Sequence, residues 1–137
     1  MTCAEAFEHP QLAAMREQDL HRFLGMSELR AADGRADFEV SVGDAAINVY
    51  GRTHAAFCYT FLDVACYAAL LSVLPHDRSA TTADIHVSMM SGTQLGDRVR
   101  FEARILKRGR NLAFLVADAW CGDKPIAQGR LTKFILA

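Results

Sequence analysis

Asn48, Gly51, His54 and Asp63 fall within one stretch, Asn48-Val-Tyr-Gly51-Arg-Thr-His54-Ala-Ala-Phe-Cys-Tyr-Thr-Phe-Leu-Asp63. The pattern places a loop with Asn48 and Gly51 at the start of an apolar helix. The first N–H groups of a helix lack intrahelical partners and point outward. Such donors can hold a carbonyl oxygen or an oxyanion. Asp63 is the one ionisable carboxylate in the apolar run that follows. A buried carboxylate without a partner is costly, so it must be hydrogen-bonded, protonated or used.

Helix geometry constrains how these groups meet. His54 and Asp63 are nine positions apart, which on a helix is about 180° around and roughly 13 Å along the axis. One helix cannot bring both to one substrate atom. Two copies packed antiparallel across a two-fold axis can, with the helix start of one facing Asp63 of the other. A site built from these residues therefore requires at least a dimer.

The remaining elements must position that helix. Pro10 suits a first helical position, and the spacing predicts a helix to about Phe23 with Leu12, Met15, Leu20, Phe23 and Leu24 as its apolar stripe. Ala31–Gly34 is a turn signal between two strands, one over Met26–Ala31 and one in which Ala36, Phe38, Val40 and Val42 alternate with polar residues. After a loop from Gly43 to Thr53, Thr53 or His54 stands at an N-cap, and Pro75 stops the long helix. Four strands follow. Ala83, Ile85, Val87 and Met89 mark one face of the first, Val99, Phe101, Ala103 and Ile105 one face of the second. Leu112–Trp120 is apolar on both faces, as a central strand is, and Ile126–Leu136 closes the sheet. Short connections make these strands antiparallel. The economical fold is α+β: a sheet curled around the apolar helix, with an extra N-terminal helix over 1–24 and one domain over 1–137.

Composition narrows the class. The chain has 137 residues, 51% hydrophobic and 23% charged, which excludes disorder and suits one domain. Its net charge of −1 argues against nucleic acid or an anionic membrane as partner. Ala55–Leu74 is apolar enough to suggest a membrane span, but the central Asp63 and the strands needing a core favour a buried helix. Cys3, Cys58, Cys66 and Cys121 form no CxxC pair or zinc spacing, and no secretory h-region precedes Pro10, so a reducing cytoplasm is expected. His9, His21, His76 and His86 lack metal-ligand spacing and read as surface or strand histidines. No G-x-S-x-G, Walker loop or H-E-x-x-H is present.

The pattern Asn48-x2-Gly51-x2-His54-x8-Asp63 resembles that of the PaaI-type acyl-CoA thioesterases of the hotdog superfamily. Leu95-Gly96-Asp97, Lys107-Arg108-Gly109-Arg110 and Ile126-Ala127-Gln128-Gly129 are similar to the family's strand and turn signatures. The resemblance implies a hotdog fold and hydrolysis of an acyl-CoA thioester. Asp63 would activate the water or attack the acyl carbon. Asn48 and the N–H of Ala55 would polarise the carbonyl, His54 would orient it or support the loop, and Thr82 or Thr81 would position the water. Substrate would pass Gly51 and Ala56. Lys107, Arg108 and Arg110 read either as a solvated turn or as a grip on the phosphates of coenzyme A. The family carries His-Gly-Gly where this chain has His54-Ala55-Ala56: the backbone N–H survives, but each methyl narrows the space beside the thioester. The resemblance further implies no metal, no cofactor beyond the coenzyme A of the substrate, and a homodimer sharing its sites, paired into a tetramer. Tyr50, Phe57, Tyr59 and Phe61 lie near the motif, so an aryl acyl group and plain core packing are both open readings. A non-catalytic acyl-CoA-binding module and a hotdog hydratase or dehydratase are the alternatives.

Overall fold

The apolar-polar alternation of the sequence becomes strands with one face in the core. In β4 (Arg98–Arg108), Val99, Phe101 and Ala103 are buried while Arg98, Arg100 and Arg104 are exposed. A computed structural model describes residues 8–137. With β1 (Met26–Ala32), β2 (Arg35–Ser41), β3 (Ser79–Met89), β5 (Leu112–Cys121) and β6 (Lys124–Leu136), β4 forms one antiparallel sheet in the order β1-β2-β4-β5-β6-β3. Asp33 and Gly34 join β1 to β2 with φ of 53° and 78°, the left-handed pair a tight hairpin turn demands.

The long helix α3 (Ala55–Leu71) touches all six strands, which a flat sheet could not allow. Eleven of its 17 residues are buried, so it is apolar around most of its circumference. Phe57 and Phe61 pack with Phe38 and Phe101 at ring-centroid separations of 5.2–5.9 Å, fixing the helix to β2 and β4. The curled sheet around one buried helix is the expected fold. Among the described residues no helix is long and apolar enough to cross a membrane.

Several elements depart from expectation. The N-terminal helix is broken at Gln18 into α1 (Pro10–Glu17) and α2 (Asp19–Phe23). The break lets His21 turn inward, its Nδ1 2.9 Å from the Met15 carbonyl, and leaves Leu20 and Phe23 exposed. His9 is also buried rather than on the surface. It caps α1, accepting from the Gln11 N–H at 3.1 Å, and reaches the Arg78 carbonyl with Nε2. Helix α3 ends at Leu71, before Pro75 acts: the Ser72 hydroxyl donates to the Ala69 carbonyl and accepts the Gly34 N–H, tying the helix end to the β1–β2 turn.

Strand β6 does not close the sheet. It lies between β5 and β3, and β3 is the edge. The chain between β3 and β4 passes beneath the start of α3 instead, where the Thr53 N–H bonds the Thr93 carbonyl at 3.0 Å and the two threonine hydroxyls meet at 2.7 Å. Farther along, near β2, the Val42 N–H donates to the Asp97 carbonyl and the Gly96 N–H to the Val42 carbonyl, both at 2.9 Å. This crossing anchors the loop that leads into α3.

Candidate active site

The start of α3 is built by its own loop. Asn48 Oδ1 accepts the N–H groups of Tyr50 and Arg52 at 2.8 and 3.1 Å, a local turn in which its Nδ2 has no partner among the described residues. Gly51 supplies the φ of +78° within that turn. His54 is the N-cap, and its Nδ1 accepts the Ala56 N–H at 3.0 Å. The Phe57 N–H turns back to the His54 carbonyl. Of the first-turn donors, the Ala55 N–H alone has no partner among the described residues. Ala55 and Ala56 are both exposed.

Asp63 lies two turns farther along α3 and is half-exposed rather than buried, its side chain 44% accessible. It is hydrogen-bonded: the Thr82 hydroxyl donates to Oδ1 at 2.9 Å, and the Lys133 ammonium donates to the same oxygen at 2.7 Å. Lys133 also donates to Thr82 Oγ1 at 2.7 Å and stands 5.2 Å from the centre of the Tyr67 ring. No partner of Asp63 Oδ2 occurs among the described residues.

Strand register explains why Thr82, and not Thr81, reaches Asp63. Thr82 lies opposite Lys133 in the β3–β6 ladder and Asp84 opposite Thr132, so Ala83 is an extra, bulged residue. The bulge puts Thr82 on the same inner face as Ile85, which faces buried Leu131. Unbroken alternation had put Ala83 there. Gly129 serves the same corner: a Cβ on it would meet the Leu62 and Leu131 side chains at 3.3 Å, so its missing side chain lets α3 press against β6 one residue from Asp63.

Lys133 was not singled out by the sequence pattern, although a signal exists. Leu131, Lys133 and Ile135 share the inward phase of β6, and all three are buried. A lysine between two core positions is a group to explain.

Beside Asp63 opens a cleft of about 520 Å³ between α3, β3 and the N-terminal helices, lined by Met15, Gln18, Leu20, His21, Tyr59, Thr60, Val64, Tyr67, Thr82 and Ile85. The Tyr67 hydroxyl donates to Gln11, latching α1 over this cleft, and burial holds its phenol above the usual range. Of the four aromatic residues near the motif, Tyr59 lines the cleft. Phe57 and Phe61 belong to the core, and Tyr50 projects from the loop at 85% exposure. Lys107, Arg108 and Arg110 are exposed at the β4–β5 turn, where Arg108 borders a hollow with Gly34 and Val73 beyond the C-terminal end of α3. Within one chain they are not brought to Asp63.

The profile of the thioesterase superfamily matches residues 50–127. Human acyl-coenzyme A thioesterase 13 is 32% identical over 128 residues, spanning 90% of this chain and 89% of that protein. A conserved protein from Pseudomonas aeruginosa superposes with a TM-score of 0.84 at 24% identity, covering 90% of this chain and 98% of that one. The E. coli PaaI protein from the phenylacetic acid degradation operon does so with 0.82 at 17% identity, covering 92% of this chain and 91% of that one. These two likenesses give the fold. The profile covers the helix start, Asp63 and Thr82, and the human relative nearly the whole chain: the protein belongs to the thioesterase superfamily.

Proposed function

We propose that this protein hydrolyses acyl-CoA thioesters to a carboxylate and free coenzyme A, with Asp63 as the base. The observation that carries the reading is the Asp63 carboxylate, held through Oδ1 by Thr82 and Lys133 and open at Oδ2 beside a mostly apolar cleft, in a chain 32% identical to an acyl-CoA thioesterase. A water at Oδ2 loses its proton to Asp63 as it attacks the thioester carbon. The resulting oxyanion takes hydrogen bonds from the Ala55 N–H and Asn48 Nδ2. Collapse breaks the C–S bond, and the proton on Asp63 passes to the departing thiolate. His54 supports this site as the cap that orders the first turn. Its Nδ1 is occupied by the Ala56 N–H.

The donors and the base meet across two copies. Ala55 and Asp63 lie about 12 Å apart along α3, too far for one thioester. The free edge of β3 supports the pairing: eleven residues long, it exposes Ile85 and Met89 at 40% and 42%. Edge-to-edge antiparallel pairing of two β3 strands turns the helices antiparallel and sets each Asp63 toward the other copy's helix start. Two such dimers make a tetramer. Lys107, Arg108 and Arg110 hold the phosphates of coenzyme A, reached from the neighbouring copy. Free Cys58, Cys66 and Cys121 support a reducing cytoplasm as the compartment.

Asp63→Asn tests the function. Release of coenzyme A, read with a thiol-reactive dye over a panel of acyl-CoA esters, should fall on the order of 10² to 10⁴-fold. Sedimentation should be unchanged. Undiminished release rejects the assignment, and binding without turnover in the unsubstituted protein makes it a binding module.

A further inference from the structure

We propose that Lys133 is a positioning residue of this reaction, its ammonium fixing the Asp63 carboxylate and the Thr82 hydroxyl so that both offer only acceptors to the attacking water. The proposal rests on the reading of Asp63 as base.

Lys133 is 2% exposed, and its stem lies on β6 between Leu131 and Ile135, both apolar and buried. An apolar residue would fill that position at no desolvation cost, and a buried ion pair is seldom worth more than well-packed carbon. The ammonium therefore calls for a purpose other than stability. Apart from Asp63, the groups beside it are kept neutral: burial pushes the Cys66 thiol up to about 12 and holds the Tyr67 phenol above its usual range. The ion pair of Asp63 among the described residues is with Lys133.

The count of protons and lone pairs gives that purpose. A threonine hydroxyl has one proton and two lone pairs. Lys133 donates into one lone pair of Thr82, and the Thr82 proton goes to Asp63 Oδ1, leaving a single acceptor position. Asp63 Oδ1 already takes two donors, leaving Oδ2. A water in the cleft meets two acceptors and no donor. It gives one proton to Oδ2 and the other to Thr82, and turns a lone pair toward the thioester carbon. An ammonium cannot accept, so Lys133 forbids the reverse orientation. Without it the Thr82 hydroxyl can rotate and donate to the water, occupying the lone pair that attack requires.

The test is steady-state kinetics of the full-length Lys133→Met variant beside Asp63→Asn, with Lys133→Ala assayed in propylammonium and in propanol. Expected are a folded Lys133→Met protein, kcat lower by roughly tenfold to a hundredfold, KM changed less than about threefold, and rescue of Lys133→Ala by the amine but not the alcohol. Unchanged kcat, a raised KM with kcat intact, or equal rescue by both additives overturns the proposal. If Lys133→Met does not fold, Lys133→Gln is judged by the same kcat and KM outcomes. Full activity in Asp63→Asn overturns the functional reading. Loss in Asp63→Asn with full activity in Lys133→Met overturns this proposal alone.

Discussion

Asp63 has two oxygens in different surroundings. Oδ1 is held by Thr82 and Lys133, whereas Oδ2, without a partner among the described residues, is the oxygen the proposed reaction uses. The other ionisable groups along α3 are kept silent. Burial raises the Cys58 thiol to about 11 and the Cys66 thiol to about 12, with exposures of 1% and 0%. At pH 8 the thiolate fraction of each is on the order of one part in a thousand or less. A thiol dye should therefore label neither Cys58 nor Cys66 in the native protein but reach both in denaturant, as read by mass spectrometry of labelled peptides. Native labelling of Cys66 as fast as Cys121 contradicts this packing. Asn48, His54 and Asp63 were legible because their relation is local to one loop and one helix. Lys133 was not: its inward phase on β6 is readable, but it meets Asp63 from 70 positions away, a pairing that no local spacing records. The bulge at Ala83 hides the third member, Thr82. Alternation alone assigns Thr82 to the outer face, so its contact with Asp63 is invisible without that bulge.

At the level of elements, α3 carries both halves of the proposed site, and β6 sets its height. Gly129 is the contact point, since a side chain there strikes Leu62 and Leu131. Gly129→Val should destabilise the fold by about 1–3 kcal/mol through overpacking, measured by denaturant unfolding. It should also lower kcat, because lifting Leu62 moves Asp63 from Thr82. Wild-type stability and kcat in that variant contradict the close approach. The strands and the long helix were readable because their periodicities are strong and their core is shared. The break at Gln18 was not, since the apolar stripe does not record the bond from His21 to the Met15 carbonyl that goes with it. Nor was the edge position of β3, because its pairing with β6 depends on a connection that crosses the sheet rather than on the strand itself.

For the whole molecule, the two sheet edges differ in a way that bears on the proposed pairing. At β1 the ladder is interrupted between Ser27 and Arg30, with Glu28 at a φ of 56°, which blunts that edge. At β3 the ladder runs unbroken from Asp84 to Met89, and its outer side pairs with no strand among the described residues. In the proposed dimer, a second copy on β3 would complete what one chain leaves apart, the helix-start donors and the carboxylate. Complementation is the most direct measurement of this account. Asp63→Asn and Asn48→Ala each remove one half of a site, and each variant alone should release coenzyme A at least about a hundredfold more slowly. Mixed and allowed to exchange subunits, they form hybrids holding one intact site, and activity should return to about a quarter of the unsubstituted protein's. A mixture no more active than its separate components would contradict the shared site.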